Sequence, residues 1–250
     1  EKFGRRPTEV AYECGLLGPE TVAAHCVWLS DAEIGLIRDT GTQISHNPTS
    51  NAKRGVGGAR LLDYRAAGIN VGLGHDSTEG VNSSDLFQVM QFASLVQRAV
   101  RMDAELLGAA DLLTMATRNG SAALGHDAGV LADGKKADLI VIDLDDPSFT
   151  PLVRGNRNQL YAHLAFAAQG RAVRTVLIDG AVVMDDRTLL TVDVKEIEAK
   201  ATEAFVRVLA SAGVDDEIAA GLEIGAARGD EVLRSGQCLD RGGLADRGRA

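Results

Sequence analysis

The sequence predicts an α/β protein, with a parallel sheet linked by helical crossovers and then a small antiparallel β layer. Three observations predict it. Across residues 1–127, short apolar runs alternate three times with amphipathic, helix-like segments. From about residue 128 the pattern changes to strand-like runs broken by turn residues, ending in the hairpin signal Asp179-Gly180. A last amphipathic stretch, "VDVKEIEAKATEAFVRVLASAG", reads as a helix over 193–213.

The elements follow in order. "TVAAHCVWL" (21–29) is a short apolar run suited to a strand buried on both faces. Ser30 opens "SDAEIGLIRDTG", and Ser30 with Glu33 has the spacing of a capping box, so a helix starts there. "TQISHNP" (42–48) is the second strand, stopped by Pro48. The glycine-rich "NAKRGVGG" leads to a helix near 59–67, closed by Gly68. "INVGLGHD" (69–76) is the third strand, followed by the helix "SSDLFQVMQFASLVQRAV", capped by Ser83 or Ser84, and by the helix "AADLLTMATRNGSAALG". In residues 128–192, Leu139 to Ile142 is a strand, and "AVRTVLIDGAVVMDD" is two more joined by Asp179-Gly180. Asp193 and Glu196 again resemble a capping box. Residues 221–250, rich in Gly, Arg and Asp without periodicity, are expected to form a mobile tail with no assigned function.

Composition narrows the function. At 250 residues, 45% hydrophobic and 24% charged, the chain can bury a sizeable core. A net charge of -9 and a pI near 5.1 argue against nucleic acid as a partner, because a polyanion needs a basic surface. No apolar run approaches the ~18–20 residues that span a bilayer, and no signal peptide is legible. Cys14, Cys26 and Cys238 are scattered and odd in number, which fits a reducing cytoplasm better than a disulfide framework. The opening "EKFGRRPTEVAYECG" lacks an initiator methionine and reads as beginning mid-domain.

Function in parallel α/β folds gathers at the carboxyl ends of strands. His25, His46 and Asp76 all fall late in, or just past, the expected strands. In "NVGLGHDSTEG" an apolar run delivers His75 and Asp76 side by side. Turn or helix-capping chemistry is the plainer account of such an aspartate from these residues alone, and a metal or proton-transfer site is the other. His25 has a plain alternative as a satisfied core histidine, and His46 as part of a His-Asn-Pro turn. His75 is expected to order its loop, and His126 and His163 to be structural or on the surface. Trp28 is expected to pack rather than stack on a ligand, and "NAKRGVGG", which lacks the Walker pattern, to shape a pocket rim.

Five segments in order, "VAAHCVWLSDAEI", "ISHNPTSNAKRGVG", "AAGINVGLGHDS", "LLTMATRNGSAALG" and "GVLADGKKADLIVID", cover roughly residues 1–185. Together they resemble the amidohydrolase superfamily, in its deaminase and triazine-hydrolase branch. That branch includes guanine, 8-oxoguanine and S-adenosylhomocysteine deaminases. The resemblance implies a distorted TIM barrel with one divalent metal at its mouth, zinc or iron, flanked by a small antiparallel β-sandwich. This chain then looks like a partial TIM barrel, the last three βα units (the sixth to eighth strands), with part of the sandwich and a C-terminal helix. Asp76 matches the eighth-strand aspartate that binds the metal and shuttles a proton. His25 matches the sixth-strand histidine beside the metal-bound water and substrate, and is a second candidate ligand. His46 matches a position near the site, and Asn51 in the same loop would contact substrate or hold the loop. His75 stands where relatives carry a smaller residue. The family's His-x-His pair and the fifth-strand histidine of its H-x-x-E segment do not occur here, so the chain is expected to be a C-terminal portion lacking three ligands.

The implied activity is metal-dependent hydrolytic deamination of an aminated heterocycle such as a purine, nucleoside or triazine. A divalent ion lowers the pKa of its water to about 7, and a carboxylate beside it carries a proton to the departing amine. The alternative is a catalytically inactive fragment or pseudoenzyme. An unrelated doubly wound binding protein would fit the βα alternation but not the β segment after 128. "FGRRP" leans toward a guanine-like or triazine-like substrate. An open half-barrel would leave strand edges and apolar surface exposed, so self-association is expected.

Overall fold

The computed structural model describes residues 4–213. The chain enters through α1 (Pro7–Glu13), then β1 (Val22–Ala24), α2 (Asp31–Thr40), β2 (Gln43–His46), α3 (Pro48–Lys53), α4 (Leu61–Ala66) and β3 (Val71–Leu73). The three strands form a parallel sheet in the order β1-β2-β3. Parallel neighbours require crossovers. The apolar faces of α2 and α4 supply them, burying Ile34, Ile37, Leu61 and Tyr64 in one cluster with Ile44 of β2 and Val71 of β3. Burying each of the aliphatic members contributes roughly 1.5–3 kcal/mol.

The helix α2 starts where its capping box predicts. The Glu33 N–H donates to Ser30 Oγ at 3.3 Å and the Ser30 N–H to Glu33 Oε2 at 2.8 Å. Glu33 is only 1% exposed, and the Arg6 guanidinium also donates to its carboxylate. Burial alone would raise its pKa. The Ser30 N–H, the Arg6 guanidinium and the Thr8 and Ser30 hydroxyls outweigh burial and hold it below the usual range. Asp143, held low by the Arg187 guanidinium, and Asp146, held low by Ser148, shift the same way. A carboxyl with a depressed folded pKa stabilises the fold above its unfolded value, and that stabilisation disappears as pH falls through the folded value. The melting temperature is therefore expected to fall once the pH drops below about 4. Thermal melts from about pH 7 to about pH 3 check this, and a flat profile would contradict it.

After β3 come α5 (Thr78–Val81), α6 (Leu86–Arg101), α7 (Ala109–Thr114), a π-helical turn at Met115–Asn119, and α8 (Gly120–Ala123). The π turn is fastened to the sheet. Asn70 Nδ2 donates to the Asn119 carbonyl at 3.0 Å, and Asn119 Nδ2 donates to the Val71 carbonyl at 3.0 Å. A Cβ on Gly72 would come within 3.1 Å of Gly120 Cα, so two bare glycines let the helix lie against β3. The antiparallel sheet follows, β4 (Leu139–Ile142), then α9 (Arg157–Phe166), β5 (Val173–Ile178), β6 (Ala181–Asp185) and β7 (Thr188–Leu189), in the order β4-β5-β6-β7. Asp179 and Gly180 both take positive φ (49° and 80°), the backbone of the hairpin turn their sequence indicates. One compact unit ends at Leu190; a second begins at Thr191 and contains α10 (Val194–Ser211). No helix among the described residues is long and apolar enough to cross a membrane.

Several local expectations are corrected. All three parallel strands are shorter than their apolar runs: left-handed backbone follows β1 at His25 and β3 at Asp76, and β2 gives way to α3 at Pro48. Pro48 ends β2 but also opens α3, where its missing N–H costs no helical bond. The α6 cap is Asp85, whose carboxylate accepts from the Phe87 N–H at 2.9 Å; Ser83 Oγ accepts instead from the Asp85 N–H. At α10 the Asp193 carboxylate accepts from the Glu196 N–H at 3.1 Å, while the Glu196 carboxylate turns to Lys200. The helix α9 escaped the sequence pattern because "RNQLYAHLAF" carries no clean apolar stripe. The tail expected over 221–250 lies outside the described residues.

Candidate functional site

Two strand ends build the site. At the end of β1 the His25 N–H still donates into the ladder, to the Ser45 carbonyl at 3.0 Å, and then φ swings to 65° at His25 and 48° at Cys26. At the end of β3 the Gly74 N–H donates to the His46 carbonyl at 2.9 Å, and φ reaches 70° at Asp76. Left-handed backbone at a residue with a side chain costs on the order of 1–3 kcal/mol and persists where the surroundings enforce it. Gly74 is one enforcing element. A Cβ there would fall 2.4 Å from Asn47 Oδ1 and 2.6 Å from Ser45 Oγ, so any larger residue would force those side chains, or the strand end itself, to move. Tyr64 is another, its hydroxyl donating to the Cys26 carbonyl from within the core.

These turns aim His25 and Asp76 at each other. Asn51 Oδ1 lies 2.9 Å from His25 Nδ1. An amide oxygen only accepts, so in this pairing Nδ1 is the donor, and the neutral ring then presents a lone pair at Nε2. That lone pair faces Asp76 Oδ2 across 3.7 Å. Asp76 Oδ2 accepts from Ser50 Oγ at 2.5 Å and Oδ1 from the Ser77 N–H at 2.8 Å. The Ser50 hydroxyl, then the Ser77 N–H and the charge of Arg54, hold the Asp76 carboxyl below its ordinary pKa, so it is ionised at neutral pH.

His46 lies in the same neighbourhood but is enclosed. It is 2% exposed, and burial, with His25 adding to it, pushes its pKa down to about 4. A buried imidazole of that pKa is neutral. Both its ring nitrogens lack a protein partner among the described residues, as do the buried Thr49 Oγ1, Asn51 Nδ2 and His75 Nδ1. Buried polar atoms are ordinarily paired. These five atoms lie on the two corners, 46–51 and 75, beside His25 and Asp76, while one more, Ser148 Oγ, lies elsewhere.

The donor chemistry defines what could sit there. Two ligands about 2.1 Å from one ion stand roughly 3.4 Å apart at the tetrahedral angle, close to the His25–Asp76 spacing. Facing lone pairs repel unless a cation or proton lies between or beside them. Among the described residues, no group of three or more His, Cys, Asp or Glu side chains could hold a metal ion. The residues fit one side of a divalent site and not a closed one. A separate apolar cavity of about 550 Å³ between α6, α7 and the antiparallel sheet, lined by Leu86, Met90, Leu113, Leu139 and Val176, contains none of these residues.

The structure thus brings together His25, Asn51 and Asp76, with His46 enclosed beside them. Ser50 escaped sequence reasoning, although a serine where alanine would make a better helix was a usable signal. Trp28 was expected to pack; it is 74% exposed, its ring edge lying over Gly57 and its carbonyl accepting from Arg6. His163 is structural as expected, its Nδ1 lying 2.9 Å from the Ser148 carbonyl.

Comparison with known proteins places the chain in a family. The profile of the Amidohydrolase family matches residues 1–183, and the chain belongs to that family. A 5-methylthioadenosine/S-adenosylhomocysteine deaminase of Acetivibrio thermocellus is 41% identical over 211 residues, 84% of this chain and 48% of the relative. A 5'-deoxyadenosine deaminase of Methanosarcina mazei is 36% identical over 210 residues, 84% of this chain and 48% of the relative. Among solved structures, an adenosine deaminase of Xanthomonas campestris with bound zinc superposes with a TM-score of 0.76 at 31% identity, over 82% of this chain and 46% of that one. The atrazine chlorohydrolase of Arthrobacter aurescens, complexed with zinc, gives 0.73 at 26% identity, over 80% and 44%. The chain spans about half the length of the curated relatives it matches.

Proposed function

We propose that this chain is the C-terminal part of a metal-dependent hydrolytic deaminase acting on an adenosine-type heterocycle, with one divalent ion, zinc, at its site. The observation that carries the reading is the His25 Nε2–Asp76 Oδ2 pairing across 3.7 Å, made by two left-handed strand ends. In this reading β1, β2 and β3 are the last three strands of a barrel and the antiparallel sheet is part of a sandwich. The outer edges of β1 and β3, each paired on one side only among the described residues, are where such a barrel would continue. The relatives at 36–41% identity favour adenosine derivatives over the guanine-like or triazine-like substrate that "FGRRP" suggested.

Asp76, with His25 as second donor, would hold the ion, and further ligands would come from barrel units that the longer relatives have. When bound, a divalent ion supplies a water that ionises near neutral pH. The ionised Asp76 accepts a proton from the attacking water and returns it to the leaving amine, so that water adds to the ring carbon, its bond to the exocyclic amino nitrogen breaks and ammonia departs. With its Nδ1 proton held by Asn51, His25 offers only a lone pair at Nε2, so it would serve as a donor to the ion and not as a proton donor. The neutral His46 backs this arrangement from the interior, and Asn51 acts on His25 ahead of substrate. A cytoplasmic enzyme completes the reading; residues 1–250 alone, with those edges unfilled, would self-associate.

The second reading, a catalytically inactive fragment, is favoured by one observation: no three-ligand group among the described residues. The zinc-supplemented protein incubated with 5'-methylthioadenosine, adenosine and a triazine separates the two. The deaminase reading expects ammonia release, fastest from the adenosine derivatives. No ammonia from any of them, with no stoichiometric zinc, would favour the fragment.

A further inference from the structure

The residue that holds the Asp76 carboxylate is one that no motif singled out. Ser50 is 0% exposed and sits in the first turns of α3. A serine inside a helix ordinarily points to solvent or bonds back to the carbonyl one turn earlier. Ser50 instead sends its hydroxyl out of the helix to Asp76 Oδ2, 2.5 Å away and 26 residues further along the chain. The next residue, Asn51, reaches His25 Nδ1 at 2.9 Å. One short helix thus sets both members of the facing pair through two consecutive side chains. Ser77 N–H occupies Oδ1, so the Ser50 bond decides which way the second oxygen turns.

We propose that Ser50 is a positioning residue: its hydroxyl fixes the rotation of the Asp76 carboxylate so that Oδ2 keeps a lone pair toward His25 Nε2. The consequence for metal and turnover rests on the functional reading above; the positioning itself does not. Partners of a ligating carboxylate orient it, and removing one typically weakens metal binding or activity by about 10–100-fold. A bond that merely fastens α3 to the β3 corner would change stability and leave the site's affinity alone.

Ser50→Ala in the full chain distinguishes the two through crystal structures without metal and zinc affinity by chelator competition. In the metal-free variant the carboxylate is expected to rotate away from His25 Nε2. Zinc affinity is expected to fall about 10–100-fold, and kcat with it while KM stays near its original value. A carboxylate that keeps its orientation overturns the inference. So does a zinc affinity within about twofold of the original protein where that protein binds zinc. If the unaltered protein takes up no zinc, the functional reading fails, and the metal-free structures alone still decide whether Ser50 positions Asp76.

Discussion

Asp76→Asn is expected to lower deaminase turnover by on the order of 10³-fold or more while leaving the fold intact. The amide copies the carboxylate's shape, and its oxygen can still accept from the Ser50 hydroxyl or the Ser77 N–H. What it loses is the negative charge and the ability to take a proton. Both losses strike the reaction rather than the packing, since the Asp76 side chain is 23% exposed at the mouth of the site. Folding should change by no more than about 1–2 kcal/mol, the contribution of charge-assisted hydrogen bonds at a partly solvated group. Steady-state kinetics beside a thermal melt separate the effects. Undiminished turnover in Asp76→Asn would remove the carboxylate from the mechanism.

Tyr64→Ala is expected to carry the largest stability effect, a loss of about 3–5 kcal/mol. The ring is fully buried among Ile34, Ile37, Leu61 and Val71, so its removal leaves a cavity beneath the β1 and β3 corners. The hydroxyl also holds the Cys26 carbonyl next to the left-handed His25, and burial pushes its pKa up to about 12, so it stays a donor at any working pH. Tyr64→Phe removes only that bond and should cost about 1 kcal/mol, with a larger proportional effect on the site than on the fold. Urea unfolding of both variants measures the pair. A loss below about 1 kcal/mol for Tyr64→Ala would show that the cluster relaxes around the gap.

Much of this was legible in the sequence, for identifiable reasons. The βα alternation, the Ser30–Glu33 box and the Asp179-Gly180 hairpin are local signals, and each acts over a few residues. Placing His25 and Asp76 at strand ends needed only the strands and the resemblance. The left-handed turns after those strands were not legible, because nothing local in "AHCV" or "GHDS" demands positive φ; bonds from Tyr64 and to Ser45 hold the first, and the Ser50 bond to Asp76 holds the second. The Ser50–Asp76 bond was hidden for the same reason, since it joins side chains 26 residues apart. His46 looked like its neighbours in sequence, yet pleat alternation puts it on the face of Ile44, which is buried. The α6 cap went to Asp85 rather than to either serine because the carboxylate is the stronger acceptor for the Phe87 N–H.

The most direct test of the site is anomalous diffraction at the zinc edge from crystals of the protein grown with zinc. A peak about 2.0–2.2 Å from an Asp76 carboxylate oxygen, with His25 Nε2 facing it, is the result this account predicts. A zinc peak held by other residues, with Asp76 still bonded only to Ser50 and Ser77, would contradict it.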